Sequence, residues 1–364
     1  KRSSTTRRSR TREPDTETAG EAPALRAGKA TINDVARLSG VSKKTVSRVI
    51  NQSPLVHPDT REKVSALMRS LGYVPDPQAR GLAFRRSFLV GLVYDNPNAP
   101  YVINLQTGVL DTLRGSGFEL VVHPCDRKAV DFVDGVRDFV ERQKLHGVIL
   151  LPPVSENEML ATMLREIGCD YVRVASAQLD DASRMVVSSD REVAAEVARY
   201  LESLGHREIA MITGPVGYRS ADERRAGFVD GLAQRGLTMR PEHQLAGQYN
   251  FESGVACGEA LLSRTPRPTA IFAFNDEMAS GVYRAAYSLG LRIPDDVSVI
   301  GFDDSPLASR LWPTMTTVRQ PIREMGRRAA AMLLRPGPAP GGEAATVFVP
   351  HLAVRDSCRS PSPR

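Results

Sequence analysis

Residues 31–51, TINDVARLSGVSKKTVSRVIN, constrain this chain more than any other stretch, because they set two short amphipathic helices about a single glycine. Thr31 is a hydroxyl N-cap, and Ile32, Val35, Ala36 and Leu38 follow it at helical spacing. Gly40 supplies the tight turn, where a residue with a Cβ would be strained at positive φ. Ser42 then caps a second helix with Val46, Val49 and Ile50 on its inner face. The outer face carries Lys43, Lys44, Thr45, Ser47 and Arg48. Basic and hydroxyl side chains at the start of such a helix suit the major groove: donors for guanine edges and phosphates, methyls for thymine. The segment reads as a helix-turn-helix that enters DNA; the alternative is a surface hairpin whose charges are merely solvated.

The following segment favours the first reading. His57 to Tyr73 places Val64, Leu67, Met68 and Leu71 on one stripe, which predicts a third helix closing a small core, stopped by Gly72. VPDPQARGLAF, residues 74–84, predicts a short helix with Asp76 as N-cap and Pro77 at its first position. Gly81 weakens it, so alone it is marginal and folds only when something docks against it.

In this order the segments TINDVARLSGVSKKTVSRVIN and TREKVSALMRSLGYVPDPQARGLA closely resemble the lactose-repressor (LacI/GalR) family of bacterial transcription regulators, over about residues 31–357. The resemblance implies a homodimer on a pseudo-palindromic operator, with recognition helices in major grooves and paired hinge helices, residues 75–86, in the central minor groove. Lys43, Lys44 and Arg48 match base-reading positions, with Thr45 and Ser47 nearer the phosphates. Leu82 falls where a hinge leucine wedges into a base step, an apolar insertion that bends the duplex. Thr31, Ser42, Asn51, Tyr73 and Arg80 complete the implied DNA-contacting set.

Charge supports this independently. Residues 1–86 hold eighteen Lys or Arg and eight Asp or Glu, a balance of +10; the whole chain carries +6, so residues 87–364 carry −4. The positive field is concentrated on the front quarter, as phosphate binding requires. Residues 1–29 are polar, charged and nearly free of aliphatics, which predicts a disordered basic tail without a secretory signal pattern. Residues 30–74 form the predicted DNA-binding domain. The four widely spaced cysteines suit the cytoplasm and suggest neither zinc nor disulfides. No apolar run reaches membrane-spanning length. Residues 358–364 are expected to fray.

From Phe88 onwards short apolar runs alternate with amphipathic helical stretches. FLVGLVY (88–94), FELVVH (118–123), GVILL (147–151) and YVRVA (171–175) read as buried parallel strands, and EIAMIT (208–213), TAIFAF (269–274) and VSVIGF (297–302) repeat the pattern. Two such blocks predict two doubly wound α/β lobes, and the resemblance makes them a periplasmic-binding-protein-like body over 87–357. The expected N-lobe is about 87–188 plus 319–335, and the C-lobe about 189–318 plus 346–357, with crossovers near 186–190 and 314–320.

Ligands of such sheets bind outside the strands' carboxyl ends. Tyr94, Asp95 and Tyr101 are therefore candidates in the first lobe. Arg224, Asn275, Asp276 and Asp303 match positions that line the family's interlobe cleft, as do Tyr249, opposite a sugar ring, and Gln320. Arg224 and Asp303 can each hold two neighbouring hydroxyls, one donating and the other accepting. Asp276 could instead cap the helix that follows. Arg173 could add a second positive charge, and Trp312 could rim the pocket or lie at a dimer surface.

These readings predict a sequence-specific transcription regulator, a repressor of a carbohydrate-utilisation operon released by a small sugar in the cleft. A purine or sugar phosphate is the alternative within the family. A solute-binding transport protein is the alternative from another class, and the helix-turn-helix head speaks against it. The sequence has no nucleophile elbow, P-loop, GxGxxG after a strand or metal-ligand spacing, so no catalytic residue, metal or cofactor is expected.

Overall fold

The computed structural model describes residues 30–50, 53, 55–73, 87–335 and 345–362. Asn51, Arg80, Leu82, the expected hinge helix and the N-terminal tail therefore lie outside the described residues. The chain divides into two compact units, one ending at Asp76 and the other beginning at Pro77.

The first unit holds α1 (Ile32–Ser39), α2 (Lys43–Ile50) and α3 (Pro58–Ser70). Thr31 and Asp34 form a reciprocal capping box: the Thr31 N–H donates to the Asp34 carboxylate at 2.9 Å, and the Asp34 N–H to Thr31 Oγ1 at 3.4 Å. Such a cap is worth about 1 kcal/mol. Gly40 sits at φ +71°, and Ser42 Oγ accepts from the Thr45 N–H at 3.1 Å. Val35, Val46, Val49, Val56 and Val64 are buried together, so the three helices share one core, as the apolar stripes predict.

The second unit is two α/β lobes with matching topology. The N-lobe contains β1 (Leu89–Tyr94), α4 (Ala99–Leu113), β2 (Glu119–Pro124), α5 (Phe132–Gln143), β3 (Gly147–Leu150), α6 (Glu158–Glu166), β4 (Asp170–Ala175) and β5 (Met185–Ser188). The C-lobe follows with α7 (Asp190–Ser203), β6 (Ile209–Thr213), α8 (Arg219–Ala233), β7 (Gln244–Ala246), α9 (Phe251–Leu262), β8 (Ala270–Ala273), α10 (Asp276–Ser288), β9 (Ser298–Asp303) and β10 (Thr316–Arg319). The chain then returns with α11 (Ile322–Leu333) and β11 (Thr346–Phe348) to the first lobe, and ends with β12 (His351–Ala353) in the second. The strand orders are β11-β5-β4-β3-β1-β2 and β12-β10-β9-β8-β6-β7. All pairings are parallel except β10 with β12. Helices cover both faces, which is why β3, β8 and β9 are buried along their whole length.

Four expectations need correction. The crossovers expected near 186–190 and 314–320 lie at 188–190 and 319–322, but MVVS and TTVR beside them, not read as strands, are β5 and β10. FELVVH is an edge strand, with Val122 42% exposed, because β2 has a neighbour on one side only. Residues 346–357 do not all belong to the C-lobe: β11 pairs with β5 and β12 with β10, so a third crossing lies at 349–350. The C-terminal residues do not fray as far as they are described. The Val299 N–H donates to the Ser357 carbonyl at 3.0 Å, and the Arg359 N–H donates to Ser298 Oγ at 3.1 Å, which ties the tail to the start of β9.

Candidate functional site

On the head, Lys43 and Lys44 are exposed at the first turn of α2. Among the described residues Lys43, Lys44 and Arg48 form no ion pair. Three polar side chains read as DNA contacts already have helix-building partners. The Thr31 hydroxyl donates to Asp34 at 2.6 Å, and the Ser42 and Thr45 hydroxyls share a hydrogen bond at 2.9 Å. Tyr73 packs partly buried against the head core.

In the body, a cleft with about 490 Å³ of free space, counting its open mouth, lies at the carboxyl ends of both sheets' strands. Arg224 of α8 is buried at its centre and paired with Asp190, the first residue of α7. Arg224 Nε donates to Asp190 Oδ2 at 2.8 Å, Nη1 donates to the Phe274 carbonyl, and the guanidinium lies 3.5 Å from the Phe302 ring centroid. Asp190 Oδ1 also accepts from Ser188 Oγ at 2.5 Å and from Gln320 Nε2 at 2.9 Å. The cation is thus neutralised by a carboxylate that is hydrogen-bonded through both oxygens.

Asp303 ends β9 with φ +113°, and its Oδ2 accepts from Asn98 Nδ2 at 2.7 Å, joining the two lobes across the cleft. Burial pushes its carboxyl up to about 8, against the pull of Arg224. Tyr249, at φ +59°, has its backbone carbonyl held by Asn275 Nδ2 at 2.9 Å. Its ring meets Tyr218 edge-on at 5.7 Å and covers Gly214, where a Cβ would come within 2.2 Å of Cζ. Ser176 Oγ and Gln320 Oε1 line the cleft buried and without a partner among the described residues. Buried polar atoms of that kind call for a hydrogen-bonding guest.

A second bridge closes the rim. Glu156, just before α6, accepts from the Arg219 N–H at 3.0 Å through Oε2 and so caps α8 from the opposite lobe. Its carboxyl is pushed up to about 7 by burial, although the bond to Arg219 works against the shift. The Arg127 guanidinium lies 4.8 Å from the ring centroid of Tyr218, again across the lobes.

Of the residues expected in the cleft, Tyr101, Arg224, Tyr249, Asp303 and Gln320 line it together, whereas Tyr94, Asp95, Asn275 and Asp276 do not. The Tyr94 carbonyl accepts from the Cys125 N–H at 3.0 Å, and Asp95 accepts from the Arg127 N–H at 3.2 Å. Asn275 caps α10, a role the sequence suggested for Asp276. Asp276 lies beneath the turn after β9, where Oδ2 accepts from the Ser305 N–H at 2.7 Å and Oδ1 from the Thr317 hydroxyl at 2.6 Å. Arg173 adds no charge to the cleft: it is fully buried, donating to the Ser155 carbonyl at 2.6 Å and to Glu158 at 2.7 Å. Trp312 does not rim the cleft either; it is 90% exposed beside Tyr287 and Pro313 at a separate hollow. Sequence reading missed Asn98, Asp190, Tyr218 and Ser176. The only signal for Asp190 was a carboxylate opening a helix, which resembles an ordinary first-turn acid.

No group of three or more potential metal ligands occurs among the described residues, and no described helix is long and apolar enough to cross a membrane. The profile of bacterial regulatory proteins of the lacI family matches residues 31–76, and that of the periplasmic binding protein-like domain matches residues 198–358. A probable HTH-type transcriptional repressor, ExuR of Bacillus subtilis, is 32% identical, covering 90% of this chain and 98% of the relative. The solved complex of the transcriptional regulator CelR with cellobiose is 32% identical with a TM-score of 0.67, over 90% of this chain and 99% of that one. The lac repressor dimer bound to operator and the anti-inducer ONPF is 27% identical with a TM-score of 0.75, over 91% and 100%. A DNA-reading head and a two-lobed body with a polar cleft, matched over nearly whole relatives, make this chain a member of the LacI family of DNA-binding transcription regulators.

Proposed function

We propose that the chain is a repressor of a carbohydrate-utilisation operon and that a neutral sugar in the interlobe cleft releases it from a pseudo-palindromic operator. The observation that carries the effector class is the charge balance of the cleft. Among the described residues its only basic lining residue, Arg224, is matched by Asp190 at 2.8 Å, and Asp303 adds a further carboxyl. A phosphate would meet no unpaired cation among the described residues that line the cleft: Arg127, over Tyr218, faces Asp95 at 3.8 Å, and Arg173 is buried. Hydroxyl-lined rings, by contrast, find amides, hydroxyls, a carboxyl and the Tyr249 ring. The related CelR is solved with cellobiose, which favours the same class.

On this reading Lys43, Lys44 and Arg48 read base edges, Leu82 is the hinge wedge, and sugar binding alters how the lobes present the hinge. A tenfold change in operator affinity requires coupling on the order of 1.4 kcal/mol. The test is a thermal-shift screen with cellobiose, D-ribose, other neutral mono- and disaccharides, sugar phosphates and purines, run on wild type and Arg224→Ala. A ligand that binds only the folded state raises the melting temperature by mass action. A neutral-sugar hit lost in the variant supports the proposal; hits confined to phosphates or purines overturn it.

A further inference from the structure

We propose that Asp304, which does not line the cleft, is a positioning residue: its carboxylate, gripped by Arg319 and Arg355, keeps Asp303 aimed across the cleft at Asn98. Two consecutive non-glycine residues here have positive φ, +113° at Asp303 and +52° at Asp304. Such backbone is strained and persists only where its surroundings over-determine it. The surroundings do so from two sides. Below the turn, Asp276 accepts from the Ser305 N–H at 2.7 Å, and Thr317 Oγ1 accepts from the Asp304 N–H at 3.4 Å. Beside it, Asp304 Oδ2 accepts from Arg319 Nε of β10, and Oδ1 accepts from Arg355 Nη2 at 2.5 Å. Arg355 is anchored in turn, donating through Nη1 to the Met315 carbonyl at 2.8 Å and through its N–H to Thr316 Oγ1 at 2.9 Å.

The neighbouring carboxyls are therefore treated in opposite ways. Against the burial that would raise it, Arg355 and Arg319 hold the Asp304 carboxyl below the usual carboxylate range. Asp303 faces no such clamp and turns to Asn98. Asp304 fastens the turn to the lobe, and Asp303 is left for the guest. The proposal takes from the preceding reading only that Asp303 faces the effector.

The test is carbodiimide-driven labelling of carboxyls with glycine ethyl ester on the full-length protein, read residue by residue by mass spectrometry. Asp304→Asn isolates the grip, because Asn tolerates positive φ as Asp does but carries no charge for the arginines. The expected result is that Asp303 labels about tenfold faster than in wild type while Asp276 stays protected, a local opening of the turn alone. Arg355→Gln should give a smaller rise, and Arg355→Lys should restore most of the protection. Asp303 labelling within about twofold of wild type in Asp304→Asn overturns the proposal. If Asp276 and Asp303 become reactive together in that variant, Arg355→Gln decides by the same criterion; joint exposure there too overturns it, since turn and lobe then fail as one. A screen in which no sugar binds removes the sugar reading and leaves this result standing.

Discussion

The two lobes are built on the same strand order, yet they bring different chemistry to the cleft. The C-lobe supplies the charged and strained groups: Arg224, Asp190, and Asp303 and Tyr249 at positive φ. The N-lobe supplies uncharged ones, among them Asn96, Asn98, Tyr101 and Ser176. One lobe therefore carries a preorganised polar surface, and the other closes over it with amides and hydroxyls. Fixed charges are costly to move once desolvated, whereas an amide exchanges one partner for water at little net cost. The difference is one of fixed charge on the C-lobe against exchangeable hydrogen bonds on the N-lobe.

The largest blow to that division should be Arg224→Ala. It leaves Asp190 buried without its cation, and breaking such a pair costs about 3–5 kcal/mol. We expect a clear drop in melting temperature and no effector response, with operator binding retained below the transition; an unchanged melting temperature would break the comparison. Gly214→Ala should come next. Its Cβ would strike the Tyr249 ring, and overpacking of this kind costs about 1–3 kcal/mol. Effector affinity should fall further than stability, as paired calorimetry and thermal melts would show. On the N-lobe side, Asn98→Ala should be milder, at about 1 kcal/mol for one interlobe hydrogen bond. Its mark should be weaker effector binding with an almost normal melting temperature.

The last expected effect concerns pH. The folded-state carboxyl of Glu156 is raised to about 7 from an ordinary 4.5. It keeps its proton where the unfolded chain has already lost it. Its contribution to stability is thus complete below the unfolded value and is lost as pH rises through about 7. Asp303 and Asp276 are also raised by burial and act with the same sign. Glu156→Gln should therefore reduce, without abolishing, the fall in melting temperature between pH 5 and pH 8. An equal fall in both proteins would remove Glu156 from the closure contacts.

The head was legible because its determinants are local: Thr31, Gly40 and Ser42 act within three or four residues of themselves. The long apolar strands were legible for the same reason. MVVS and TTVR were not, since four-residue strands at a lobe crossing carry too little pattern to separate from the connection. In the cleft, the resemblance pointed to Arg224 and Asp303 but not to the partners that define them. Asp190 is 34 residues from Arg224, and Asn98 is 205 from Asp303. Arg173 illustrates the opposite limit. It looked like a spare cation, yet its guanidinium is consumed by groups within about one helix's length of chain, because Glu158 and Asp180 fold back onto it.

The three chain crossings at 188–190, 319–322 and 349–350 have a mechanical consequence. Three connections rather than one join the two lobes. No single peptide cleavage can part the lobes, because two spans always remain. A nick in one crossing should loosen the effector response while the halves still migrate as one particle.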